Sequence, residues 1–339
     1  MTPFNKDRIA LTPQVLAGLE MGGRGAEIYP GRGNPRKSVL LLPELHAPSP
    51  MGVLRPIPQG IRDLQEGVFL DAERLLTTYK IRRLVLEAPN TPTLFQTKRK
   101  QVSSERDLDR LIRREKSLSE QAKKPWNPIG EELLRVALDP GLSLEERRMR
   151  VDPLIGVVGA HYLLEAVYGR EPGLEICGFE EPEFHKQRGV LDGKFQTLRD
   201  QLEKGRIELE IRGVRYPLPR VKELAEAGDA DARNLYNWFL NKHLIEGHVQ
   251  PVVQTTIQAC NRMVSSAMTA IPGDSLMIYG IYHSRDMIER LRVHSTVAFR
   301  SALPESLIAQ TAFYTGPDDW FDHEALVRRS QLLVPPLSD

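Results

Sequence analysis

SVLLLPELH, residues 38–46, decides the fold. From Ser38 to Leu42 the run is apolar without alternation, and it closes on Pro43, Glu44, Leu45 and His46. A short, uninterrupted apolar run of this kind predicts a strand buried on both faces, as strands of parallel sheets are. Further along, IRDLQEGVFLDAERLLTTYK (61–80) places its apolar residues near helical spacing, and IRRLVLEAPN (81–90) is a second apolar run closed by a proline turn. Strand, helix, strand predicts a parallel βαβ unit. LEICGFE (174–180) and SLMIYGIYHS (275–284) supply a third and a fourth run. The expected fold class is α/β, a mainly parallel sheet built from βαβ units with large helical insertions.

Around these strands the chain divides by composition. Residues 1–37 read as a polar lead-in. Its stretch MGGRGAEIYPGRGNPRK reads as a flexible connector, because GRGNPRKS has Arg36 where a phosphate loop needs its second glycine and runs into a strand instead of a helix. Residues 38–300 read as a single α/β domain with a helical insertion at about 97–170, and 301–339 as a C-terminal extension. Ser104 is placed to cap the helix in SSERDLDRLIRREKSLSEQ. Residues 97–124 carry ten basic and five acidic side chains, which predicts a solvated helical face, with a docking surface for a protein partner as the alternative.

Composition excludes several classes. The chain has 339 residues, of which 41% are hydrophobic and 27% charged, as in ordinary globular proteins. Its 46 basic and 45 acidic residues leave a formal net charge of +1, so no global field draws it to nucleic acid, and no nucleic-acid partner is expected. No stretch of 18 consecutive apolar residues is present, and no membrane span is expected. The first twenty residues lack the apolar core of a secretory signal, which makes the cytoplasm the expected location. Cys177 and Cys260, too few for a disulfide framework, read as buried thiols.

Each of the four apolar runs ends in ionisable residues. These are Glu44 and His46, then Glu87, then Glu180 with Glu181, then His283. In a parallel sheet the carboxyl ends share one edge, the edge at which open α/β sheets bind ligands. Glu44 and His46 are two apart and would point the same way from an extended backbone. Imidazoles and carboxylates gathered in this way can form a general acid–base set, or bind a divalent metal with an open position for water. Tyr282 and Arg285 flank His283, and Arg285 could hold an anionic group or an oxyanion. His185, four residues after Glu181, could reach the same edge. His161, in VVGAHYLLEAV, reads as a core histidine, and His243 and His248 as surface residues.

The motifs also carry a family resemblance. PELH after SVLLL resembles the G-E-x-H motif of the ChaN-like and erythromycin-esterase-like proteins, with Pro43 where that motif has glycine. RRLVLEAPN resembles their second-strand glutamate, and CGFEE is similar to their third-strand acidic end, with Glu180 in place of aspartate. Arg233-Asn234 in ARNLYNWF is similar to the group's helical R-N segment. GIYHSRDMIERL (280–291) resembles the late G-x-x-H motif shared with the wider TraB/TIKI group. The haem-binding ChaN-like branch is the nearest. The resemblance implies a pocket built from Glu44, His46, Glu87 and His283 as catalytic residues or as ligands of manganese, zinc or iron, with Glu180, Glu181, Tyr282, Arg285, His185 and Arg233 about the substrate.

The function expected is hydrolysis of an ester, amide or peptide bond in a small-molecule or peptide substrate. The alternatives are a haem- or tetrapyrrole-binding protein with an axial histidine, and an inactive scaffold that acts through a protein partner or as a homodimer.

Overall fold

The computed structural model describes residues 8–32, 35, 37–45, 59–87, 94–123, 126–181, 207–244 and 258–304. The chain opens with α1 (Pro13–Ala17), capped by Thr12, whose side chain accepts from the Val15 N–H, with Pro13 in the first turn. The hairpin of β1 (Glu20–Met21) and β2 (Arg24–Gly25) follows, and then β3 (Glu27–Tyr29). Gly22 and Gly23, at φ +67° and +72°, make the tight hairpin turn. Leu11, Leu16, Leu19 and Met21 are buried in the same core as the central strands. Residues 8–29 are therefore packed structure where a polar lead-in and a connector were expected. Elements of two to five residues are too short to display a period, and the glycine pair is a turn.

β4 (Ser38–Glu44) leads to α2 (Gln59–Thr78) and then to β5 (Arg83–Leu86). The helical insertion comprises α3 (Leu94–Arg99), α4 (Glu105–Gln121), α5 (Pro128–Leu138), α6 (Leu144–Val151) and α7 (Ala160–Tyr168), and ends at β6 (Glu175–Cys177). A separate stretch holds β7 (Glu208–Ile211), β8 (Val214–Pro217), α8 (Leu218–Glu226) and α9 (Ala230–Leu244). Then come α10 (Gln258–Ala270), β9 (Ser275–Gly280), α11 (Ser284–Leu291) and β10 (Thr296–Phe299).

The sheet has six strands in the order β3-β10-β4-β9-β5-β6. All neighbours are parallel except the edge pair β3 and β10. The α/β class follows directly, and each of the four apolar runs supplies one parallel strand. β4 and β9 run in register from Val39↔Ser275 to Glu44↔Gly280, and β5 lies on the other side of β9 with Leu86↔Ile278. Every residue of β4 and β9 is buried. Leu40, Leu42, Leu276, Ile278, Leu84 and Leu86 turn toward Leu64, Val68, Phe69, Ala72 and Leu76 of α2 and Leu163, Leu164 and Val167 of α7 in one apolar cluster.

The insertion is held by caps. Ser104 caps α4 by accepting from the Asp107 N–H, and Ser143 with Glu146 forms a capping box on α6. Arg99, Arg147 and Arg170 donate to Gly169, Val167 and Asp139 carbonyls at 2.6, 2.6 and 2.8 Å, placing cations at the negative ends of α5 and α7. Lys98 pairs with Glu115 at 2.5 Å, and Lys116 pairs with Glu131 at 2.8 Å. Part of the basic surplus of 97–124 is thus satisfied within the protein. Among the described residues no helix is long and apolar enough to cross a membrane.

The chain divides into two compact units, one within Met1–Glu180 and Met263–Gln310, the other within Glu181–Arg262 and Thr311–Asp339. The second has its own small core of Ile211, Leu218, Val221, Ala225, Ala232, Tyr236 and Phe239. Its hairpin turns at Arg212 and Gly213, both at positive φ.

Truncating Leu42, fully buried in the central strand, should cost about 2–5 kcal/mol. Met149, 60% exposed on α6, should tolerate alanine within about 0.5 kcal/mol. Urea unfolding of the two variants checks the core assignment, and equal losses would contradict it.

Candidate active site at the carboxyl edge of the sheet

From β4 the chain passes through α2 to β5, two places along the sheet and beyond β9; from β9 it passes through α11 to β10, on the far side of β4. The connections of these adjacent strands therefore leave in opposite directions, and right-handed crossovers running opposite ways cover opposite faces. The strand order therefore reverses at the carboxyl ends of β4 and β9. Such a reversal of strand order is where open α/β sheets take ligands.

Glu44, the last residue of β4, is 2% exposed. Its Oε1 is hydrogen-bonded to Nδ1 of His161, in the first turn of α7. The second oxygen, Oε2, is buried and has no hydrogen-bond partner among the described residues. The partly exposed His161 makes its only described hydrogen bond through Nδ1, which leaves Nε2 for an incoming group. Its ring stacks at a tilt on Tyr162, with centroids 3.9 Å apart. Gly159 must be small here: a Cβ would lie 3.0 Å from Cε1 and 3.1 Å from Nδ1 of the ring. Gln65 of α2, fully buried, donates from Nε2 to the Leu45 carbonyl and accepts at Oε1 from the Ala160 N–H at 2.7 Å.

A second carboxylate–histidine pair follows the ends of β5 and β9. Glu87, just beyond β5, accepts at Oε2 from the Gly280 N–H at 2.8 Å, and its Oε1 lies 3.6 Å from Nε2 of His283. His283 is 4% exposed and meets Tyr279 edge-on, with centroids 5.6 Å apart. Gly280 is the register partner of Glu44, so it lies between the strand ends that carry the two carboxylates.

Of the other expected site residues, Glu180 is fully buried beyond β6. Arg285 is exposed on α11, near enough to act electrostatically on Tyr29 at the sheet edge. Glu181 and Arg233 belong to the second unit and are exposed there. For Tyr282 the backbone is described, in the turn Ile281–His283. His46 and His185 lie outside the described residues. Among the described residues no group of three or more His, Cys, Asp and Glu side chains is arranged to hold a metal ion. Glu44, Glu87 and His283 of the expected ligand set belong to those residues, and His46 does not.

His161 is the residue that the sequence reading assigned to the core. A histidine in an apolar helix gives no local sign of its partner, and Glu44 lies 117 positions away. A signal for Gln65 did exist. It occupies a place on the apolar stripe of α2, in line with Val68, Ala72 and Leu76, and a polar side chain there has to find partners.

Comparison with family models, with curated proteins and with solved structures finds no match.

Cys260 is fully buried, while Cys177, at the end of β6, is half-buried where both thiols were expected to be buried. Burial pushes its thiol up to about 12, with the Glu175 carboxylate adding to the shift. Native protein treated with iodoacetamide at pH 8 should leave Cys177 unmodified, and denatured protein should be labelled. Since the folded thiol titrates above the unfolded one, stability should fall as pH rises from the ordinary thiol value of 9.0 toward about 12. Rapid native labelling at pH 8 would contradict the burial.

Proposed function

We propose that the carboxyl edge at β4 and β9 is a hydrolytic active site acting on an ester, amide or peptide bond. The observation that carries this reading is the hydrogen bond between Nδ1 of His161 and the buried Glu44 carboxylate that accepts it. A carboxylate on Nδ1 fixes the ring and its tautomer and stabilises the imidazolium that forms when Nε2 takes a proton, the arrangement by which a histidine acts as general base. In this role His161 takes a proton from water as the water attacks the carbonyl carbon, and returns it to the leaving oxygen or nitrogen. In this reading His283, beside Glu87, would polarise the carbonyl or pass a proton. Glu87 is itself fixed by the Gly280 N–H.

The likeness of PELH, RRLVLEAPN and GIYHSRDMIERL to the ChaN-like, erythromycin-esterase-like and TraB/TIKI proteins supports the same edge as the working site. In that setting Glu44, His46, Glu87 and His283 would also be the ligands of a divalent metal, which would supply activated water.

The test is a screen of esterase and peptidase substrates with and without chelator. His161→Ala and His283→Ala should each lower kcat/KM about 10²–10⁴-fold, with thermal unfolding close to wild type. Loss of turnover on chelation would assign the water activation to a metal. Wild-type turnover in both variants would overturn the proposal, and a Soret band on haem titration without any hydrolysis would move the site to tetrapyrrole binding.

A further inference from the structure

We infer that Gln65 is the positioning residue of the Glu44–His161 pair, a role that rests on the hydrolytic reading and deepens it. Glu44 and His161 come from elements far apart in the chain, the end of β4 and the start of α7. Gln65 spans them with one rigid amide. Its Nε2 donates to the carbonyl of Leu45, the residue after Glu44, and its Oε1 accepts from the N–H of Ala160, the residue before His161. The donor and the acceptor sit on the same planar group, so the two backbones are held at a fixed separation.

Two further features fit a positioning role better than a packing one. Gln65 lies on the apolar face of α2 with no exposure, where leucine would pack without desolvating an amide. In addition, α7 has glycine at its N-cap and no side-chain cap from its own segment. The Ala160 N–H, one of the amides that a helix start leaves orphaned, is taken by a residue of another helix. Gly159 completes the fit by leaving room for the His161 ring where a methyl group would press on it.

A general base displaced by about 1 Å can lose about 10²-fold in rate, so the amide should act on kcat through the placement of His161. The experiment uses the full chain with Gln65→Leu and Gln65→Met, which keep the volume and remove both hydrogen bonds, and Val68→Ala on the next turn as a control for lost packing. Proton NMR reads the imidazole Nδ1–H that is bonded to Glu44, assigned by its loss in His161→Ala. The expected result is a downfield Nδ1–H signal in wild type and Val68→Ala that is lost in the folded Gln65 variants. Against a substrate found in the screen, kcat should fall about 10²-fold with KM little changed. A folded Gln65 variant that keeps the signal would overturn the inference, as would failure of both variants to fold, which would make Gln65 a folding residue only. Absence of the signal from wild type would instead remove the Glu44–His161 pair and the hydrolytic reading with it.

Discussion

A carboxylate at the end of a strand buried on both faces is costly to desolvate, and the structure around Glu44 is organised to meet that cost. Left alone, such a group would take up a proton or unfold its strand end. His161 provides one compensating donor. The other carboxylate oxygen is left without a partner among the described residues, and a fully satisfied scaffold would not leave it so. On the proposed hydrolytic reading this unsatisfied oxygen is a stability cost carried at a working site, as such groups commonly are.

The sheet converts this local arrangement into a site. Parallel pairing fixes Glu44 opposite Gly280, and Gly280 anchors Glu87 through its N–H. The connections leave β4 and β9 in opposite directions, the topology at which open α/β sheets take ligands. The large insertion between β5 and β6 has a role in this geometry. It returns α7 against α2, with Leu163, Leu164 and Val167 in the cluster that holds Leu64 and Val68, and so delivers His161 to the edge of a strand that precedes it by more than a hundred positions. The arginines that cap the ends of α5 and α7 secure the same helix from its other end.

How much of this could be read from residues alone depended on the length and repetition of the signal. The four apolar runs announced the parallel strands, and the apolar spacing of 61–80 announced α2, because each holds its pattern long enough to show a period. Glu44, Glu87, Glu180 and His283 were legible as strand ends. β3 and β10 were not, since strands of three or four residues carry no distinctive pattern, and the glycine pair of the first hairpin resembles a flexible connector until its φ values are known. His161 was illegible for a different reason. Its role is defined by a partner that reaches it through tertiary packing, and local context in α7 shows only an apolar helix. Gln65 lay between these cases, a polar residue interrupting an apolar stripe and pointing to partners that the sequence could not name.

The most direct measurement is a double-mutant cycle on kcat/KM with Glu44→Gln, His161→Ala and the double variant, using a substrate from the ester and peptide screen. If Glu44 acts through His161, the double variant should be about as impaired as His161→Ala alone, with the two losses far from additive. Fully additive losses, or a Glu44→Gln variant with wild-type turnover, would show that the two residues do not work as a unit and would contradict the account.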